Sequence, residues 1–160
     1  MNRLTDHGFT LLEVIIVVLV IALVLAVSYP SLSRGSAAIH LRSTGRDVLN
    51  TFRYAREKAV TEQVGMKVTA DREKQTLVLT DDLGDGSRTY AMPKDVKIQR
   101  MALAGSEITE GPLTIRFLPN GSSESAEILL QSDSGSSLRI ISDPITGGAR
   151  IETGSGENTR

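Results

Sequence analysis

One carboxylate stands inside a long apolar run. In GFTLLEVIIVVLVIALVLAVSYP, residues 8–30, Glu13 is the one charged side chain. A charge at mid-bilayer costs about 2.5–3.5 kcal/mol even on insertion-based scales, so such a residue marks a function by default. Groups suited to covalent chemistry are scarce by contrast. There is no cysteine, and the two histidines are His7, before the run, and His40, beyond it. Residues 64–160 therefore hold no Ser–His or Cys–His machinery. The serines lie in Gly-rich turns without a Gly-x-Ser-x-Gly context. TDDLGDGS, residues 80–87, sets Asp81, Asp85 and Gly86 in partial imitation of a calcium loop. An EF-hand needs oxygen ligands where Leu83 and Met92 stand, so a hairpin turn is favoured over a metal site. Neither a cofactor nor an enzymatic activity is expected.

The elements around Glu13 follow from patterning. Residues 14–27 are uninterruptedly apolar, and with Phe9, Leu11 and Leu12 the window is long enough for a helix of roughly 30 Å, the hydrocarbon thickness of a bilayer. A membrane helix over 9–29 is expected, ended or kinked at Pro30. Ser31 can cap a restart, and the chain reads as helix to Gln63. Leu41, Gly45, Val48, Phe52, Ala55 and Ala59 recur at spacings of three and four, with Arg42, Arg46, Arg53, Arg56 and Lys58 mostly off that stripe. Gly35 and Gly45 weaken the helix by roughly 1 kcal/mol each relative to alanine.

After Gln63 the period changes. GMKVTA, QTLVLT, DVKIQRM, LTIRFLP, AEILLQ, SLRIIS and ARIET alternate apolar with polar, as half-buried antiparallel strands do, and loops such as DDLGDGS, PNGSSES and SDSGSS join them. The closing TGSGENTR has no apolar residue and is expected to be disordered. The fold class is α+β: a long helix feeding a small antiparallel β-sheet domain. The charge balance is −1 overall, but residues 34–58 carry six basic side chains against Asp47 and Glu57, while residues 64–160 carry eleven basic and fourteen acidic. That argues against nucleic acid as a partner of the globular part.

Three readings compete for the N-terminal segment. A cleaved secretory signal has Arg3, the apolar stretch and a small-x-small site at Ala26-Val27-Ser28 before Tyr29. A plain single-pass anchor leaves Glu13 and the abrupt HGFTLLE junction without a reason. The third rests on a resemblance: the segment looks like the N-terminal signature of type IV pilins and type II secretion pseudopilins. The resemblance implies a leader over 1–8 removed after Gly8 by a prepilin peptidase, with Phe9 then N-methylated as the mature terminus. It implies an assembly role for Glu13, whose carboxylate would pair with the new amine of its own chain or a neighbour. A buried ion pair of that kind is a register device rather than a source of stability. Phe9 and Glu13, four apart, would share one helix face. Pro30 matches the proline that ends or kinks the membrane part.

The C-terminal half is similar to the end of the GspH/FimT group of minor pseudopilins and minor pilins. A Phe-x-Pro-x-Gly turn falls at Phe117, Pro119 and Gly121, and a Pro-x-Thr-Gly turn at Pro144, Thr146 and Gly147. Some FimT-like proteins carry a basic Gly-Arg-x-Arg run where this chain reads TGGAR, with Gly148 in place of the first arginine and Arg150 remaining. The resemblance implies a minor pseudopilin at or near the tip of a type II secretion pseudopilus, which helps export folded proteins across the outer membrane. It implies residues 30–63 as a helix continuing into the periplasm, 64–152 as a periplasmic β-domain and 153–160 as a tail, all held in the bacterial inner membrane. The implied partners are the prepilin peptidase, the major and other minor pseudopilins, and the inner-membrane secretion platform. The alternatives are a FimT-like minor pilin acting in pilus initiation or DNA uptake, and a signal-cleaved periplasmic binding domain.

Overall fold

The computed structural model describes residues 9–84 and 86–154, without the side chains of 26–35 and 153–154. The leader expected over 1–8, including Gly8, and the end of the chain beyond Gly154 lie outside the described residues. The chain divides into two units, one ending at Ser36 and one beginning at Ala37. Helix α1, Leu11–Glu62, contributes to both.

The first unit is the N-terminal stretch of α1. The helix continues past Pro30, which corrects the expected restart capped by Ser31. A proline removes one i→i−4 bond, but the ladder on either side persists. The side chains from Leu11 to Leu25 are all exposed.

The second unit is an α+β domain in which the rest of α1 packs on two antiparallel sheets. One has the order β3-β2-β1-β6, from β1 Met66–Asp71, β2 Thr76–Asp81, β3 Arg88–Ala91 and β6 Leu113–Phe117. The other has the order β5-β4-β7-β8-β9, from β4 Val96–Leu103, β5 Ser106–Glu107, β7 Ala126–Ser132, β8 Ser137–Ser142 and β9 Ala149–Gly154. All seven expected strands are present. The expected antiparallel β-domain is built as two sheets, a division that period-2 alternation does not reveal, since it identifies a strand but not its partner. β1, for instance, pairs with β6 as well as with its hairpin neighbour β2. β9 also runs to Gly154, with Thr153 opposite Leu138, so ordered structure extends past the expected boundary at 152. Ladder hydrogen bonds hold those last residues where side-chain hydropathy gives no sign of it.

The stripe of α1 and the inner faces of both sheets form one core. Leu41, Val48, Phe52, Ala55 and Ala59 are buried with Val68, Ile115, Phe117, Ile128, Leu130 and Ile140. Phe52 meets Phe117 edge-on at 5.6 Å between centroids, a favoured aromatic geometry. Gly45 is there for proximity: a Cβ would lie 2.8 Å from a Leu138 methyl, so glycine lets the helix approach β8. Between the sheets, Gln75 at the foot of β2 uses its side-chain amide as a strand substitute. Its Oε1 accepts from the Ile98 amide at 2.7 Å and its Nε2 donates to the Ile98 carbonyl at 3.3 Å, beside the β4 bulge.

Candidate functional site

Glu13 occupies the third position of α1, and the helix start explains part of its presence. Its backbone N–H donates to the Thr10 carbonyl at 3.1 Å and to Thr10 Oγ1 at 3.3 Å, so Thr10 is the N-cap. Thr10-Leu11-Leu12-Glu13 has the residue types of a capping box, and an acidic group here also opposes the positive end of the helix dipole. Glu13 is exposed, as are the apolar neighbours that follow it. Phe9, also exposed, precedes the cap and is not part of the helix, so the expected shared helix face of Phe9 and Glu13 is not formed. The cap is written in the sequence as Thr-x-x-Glu before an apolar run, a signal masked by reading Glu13 for its charge alone.

Among the described residues no helix is long and apolar enough to cross a membrane. The span expected over 9–29 draws on residues whose side chains lie outside the described set. Within Leu11–Leu25 the apolar side chains are exposed around the whole circumference.

At the other end of α1, the two glycine turns come together. The turn after β6, with Phe117, Pro119 and Gly121, and the turn before β9, with Pro144, Thr146 and Gly147, dock on each other and on Arg56. The Ser123 amide donates to the Pro144 carbonyl at 3.2 Å, and Arg56 Nε donates to the Gly121 carbonyl at 3.2 Å. Gly147 has φ +61°, and a Cβ there would run into the Gly121 carbonyl oxygen and stand 3.0 Å from Arg56 Cδ. The second turn is organised by Asp143, whose Oδ1 accepts from the amides of Ile145 and Thr146 at 2.9 Å each. Those donors, that of Thr146 foremost, hold the Asp143 carboxyl below its usual range. Sequence reading found both turns but not Arg56, which resembles its solvated neighbours until its partner is known.

A further tie joins His40 Nδ1 to Asp95 Oδ2 at 2.6 Å, and this hydrogen bond lowers the Asp95 carboxyl. Asp81 is mostly buried at the end of β2, and Asp82 pairs with Lys67 at 2.7 Å. Among the described residues no group of three or more metal-ligating side chains is assembled. Arg150, the basic residue of TGGAR, pairs with Glu152 at 2.9 Å on the surface.

Two grooves flank α1. One of about 620 Å³ lies against the β3 edge and is lined by Val48, Tyr54, Leu77, Arg88, Tyr90 and Met92, with the Arg88 guanidinium 5.4 Å from the centre of the Tyr54 ring. The other, about 570 Å³, lies beside the docked turns, between Arg53, Arg56, Glu57 and Val60 and the Gly147–Ala149 segment. Neither lining contains a histidine or a cysteine.

Residues 44–146 match the family described as type II transport protein GspH, and residues 3–29 match the prokaryotic N-terminal methylation motif. No curated protein sequence matches at a significant level. Among the solved structures that share the fold are two of the minor pseudopilin EpsH of the type II secretion system of Vibrio cholerae. The first is 10% identical, with a TM-score of 0.60, covering 74% of this chain and 99% of that one. The second is 11% identical, with a TM-score of 0.59, covering 74% and 97%.

Proposed function

This chain belongs to the type II transport protein GspH family, and on that premise we propose that it works as a minor pseudopilin of a type II secretion system. The observation that carries the reading is the joint occurrence of the N-terminal methylation motif over 3–29 and the family match over 44–146 in one chain. As a structural subunit at or near the tip of a short filament, it helps export folded proteins across the outer membrane.

The finer reading concerns named residues. A prepilin peptidase cuts after Gly8, and Phe9 becomes the methylated terminus. Glu13 serves assembly, pairing with the amine of a neighbouring subunit, while Thr10 secures the helix start beneath it. Residues 9–29 span the inner membrane once, Pro30 marks its boundary, and the β-domain stands in the periplasm. Partners are the peptidase, the major and other minor pseudopilins and the inner-membrane platform. A FimT-like role in pilus initiation or DNA uptake is the alternative. The pairing of Arg150 with Glu152 weighs against its DNA-binding form.

Deleting the gene and scoring secretion and pilus functions in one strain tests this. Accumulation of exported enzymes in the periplasm, with twitching and DNA uptake unchanged, is the expected result. Intact secretion with failed pilus functions would replace the reading with the alternative. N-terminal sequencing of the mature chain is expected to begin at Phe9; a start at Tyr29 would mean ordinary signal cleavage.

A further inference from the structure

The second unit satisfies its cations almost everywhere. Arg116 pairs with Glu124, Arg100 and Arg139 share Glu127, and the lysines at 58, 67, 74 and 97 each meet a carboxylate. Arg56 is committed to the Gly121 carbonyl, Arg72 to the Thr109 carbonyl and Arg88 to the Tyr54 ring. Among the described side chains, Arg42, Arg46, Arg53 and Lys94 are the cations without such a partner. Three of these four are exposed on α1. At 3.6 residues per turn they fall within about 40° of arc and span about 16 Å along the axis. Asp47 projects well around the helix from them, and Glu57 flanks the far end, at the groove beside the docked turns.

This arrangement differs from a generally solvated helix face. A glutamate one turn away can neutralise such a group, as Glu62 does for Lys58, and Glu57 stands at that spacing from Arg53 without forming an ion pair with it. Here the same helix leaves three guanidinium forks unpaired in line, and a guanidinium is the group best matched to carboxylate oxygens. At the far end of the row Val60 is exposed in the groove it shares with Arg53, and the two docked turns carry the exposed Leu118 and the 85% exposed Ile145. We propose that Arg42, Arg46 and Arg53 form a docking strip for a carboxylate-bearing face of another pilin-like subunit, with the exposed Val60 beside its end. A symmetric contact with a second copy would set arginine against arginine, so the strip calls for a head-to-tail neighbour that brings carboxylates to it. The inference rests on the pseudopilin reading and specifies the kind of neighbour that the subunit accepts.

The test uses the full chain in its own cells. The triple variant R42K/R46K/R53K keeps the charge and supplies amines that a carbodiimide joins to a touching carboxylate, whereas arginine does not react. Expected are new adducts linking the substituted positions to an Asp or Glu of another pilin-like subunit, with secretion within about twofold of normal. The triple variant R42E/R46E/R53E is expected to lower secretion at least tenfold while its melting temperature and N-terminal processing are unchanged. Normal secretion by the glutamate variant or no adduct at those positions would each overturn the proposal. So would a glutamate variant whose measured loss is of binding to phosphatidylglycerol vesicles or duplex DNA, with no adduct formed by the lysine variant. If deleting the whole gene leaves secretion intact, it is the pseudopilin reading that fails, and the two failures are distinguishable.

Discussion

From Leu11 to Leu25 helix α1 exposes every side chain, whereas from Ala37 to Ala59 it buries Leu41, Val48, Phe52, Ala55 and Ala59 in one stripe. The two stretches share a secondary structure and little else. In the first, residues are apolar on all sides and Thr10 supplies the ordering contact at the start. In the second, a polar face alternates with a stripe that the chain itself covers, and Gly45 is spent on bringing the helix close to β8. A helix whose apolar surface is one-sided finds its partner within its own domain. One whose surface is apolar all round requires a partner outside it.

The contrast is broken most directly at Phe52. Replacing this fully buried ring with alanine is expected to cost the domain about 3–5 kcal/mol, read by chemical denaturation. Leu19→Ala, in the exposed stretch, is expected to stay within about 0.5 kcal/mol. Equal losses would erase the contrast between the two stretches.

Next in size is Gly147→Ala. A left-handed φ and the Gly121 carbonyl oppose the added methyl together, so a loss of about 2–4 kcal/mol is expected. Gly148→Ala should cost under about 1 kcal/mol, because its φ is ordinary and its near neighbour is the movable Thr146 hydroxyl. Thermal melts of both variants place the tension at the docked turns or remove it from them.

At the start of the helix the effect is smaller and local. Thr10→Ala is expected to weaken the first turn by about 1 kcal/mol, seen as faster amide exchange at Glu13 and Val14. The melting of the β-domain should not change. Thr10→Ser should restore protection, since the hydroxyl is what the Glu13 amide uses.

The smallest effect is a pH dependence confined to the domain. Asp143 and Asp95 both titrate below their ordinary value in the folded chain, through the Thr146 amide and the His40 ring respectively. The unfolded chain therefore binds protons first as pH falls. The stability from these groups is present in full above the usual carboxylate range and is lost as pH drops through their lowered folded values. Denaturation series at pH 6 and pH 3 should differ for the parent chain and differ less for Asp143→Ala. Identical pH slopes would show that the turn draws nothing from this carboxylate.

Much of the domain is legible in the residues alone. The strands that bury alternate side chains announce themselves, from MKVTAD to SLRIIS. β3, with Arg88, Thr89, Tyr90 and Ala91 all exposed, has no buried face to create a period, and β5 is two residues long. Both were invisible for that reason. The stripe on α1 is equally legible, down to its glycine, although the purpose of Gly45 depends on a leucine far along the chain. Arg56 could not be told from Arg53 by sequence. One is committed to a turn carbonyl and the other is free, and only the position of Gly121 separates them.

The docked turns also set an order of events. Arg56 lies on the first element of the chain, whereas Gly147 belongs to the turn before its last strand, and Leu138, which covers Gly45, lies just ahead of it. The apolar stripe of α1 therefore waits for the final quarter of the polypeptide before it is fully covered. Contacts between residues so far apart in sequence close slowly, since the loop must be gathered before any of them forms. During that interval the bare stripe is open to wrong partners. Loss of the β8–β9 hairpin would therefore take Leu138 and Ile140 out of the cover of α1 together with the two strands, so damage near one end of the domain is felt at the other.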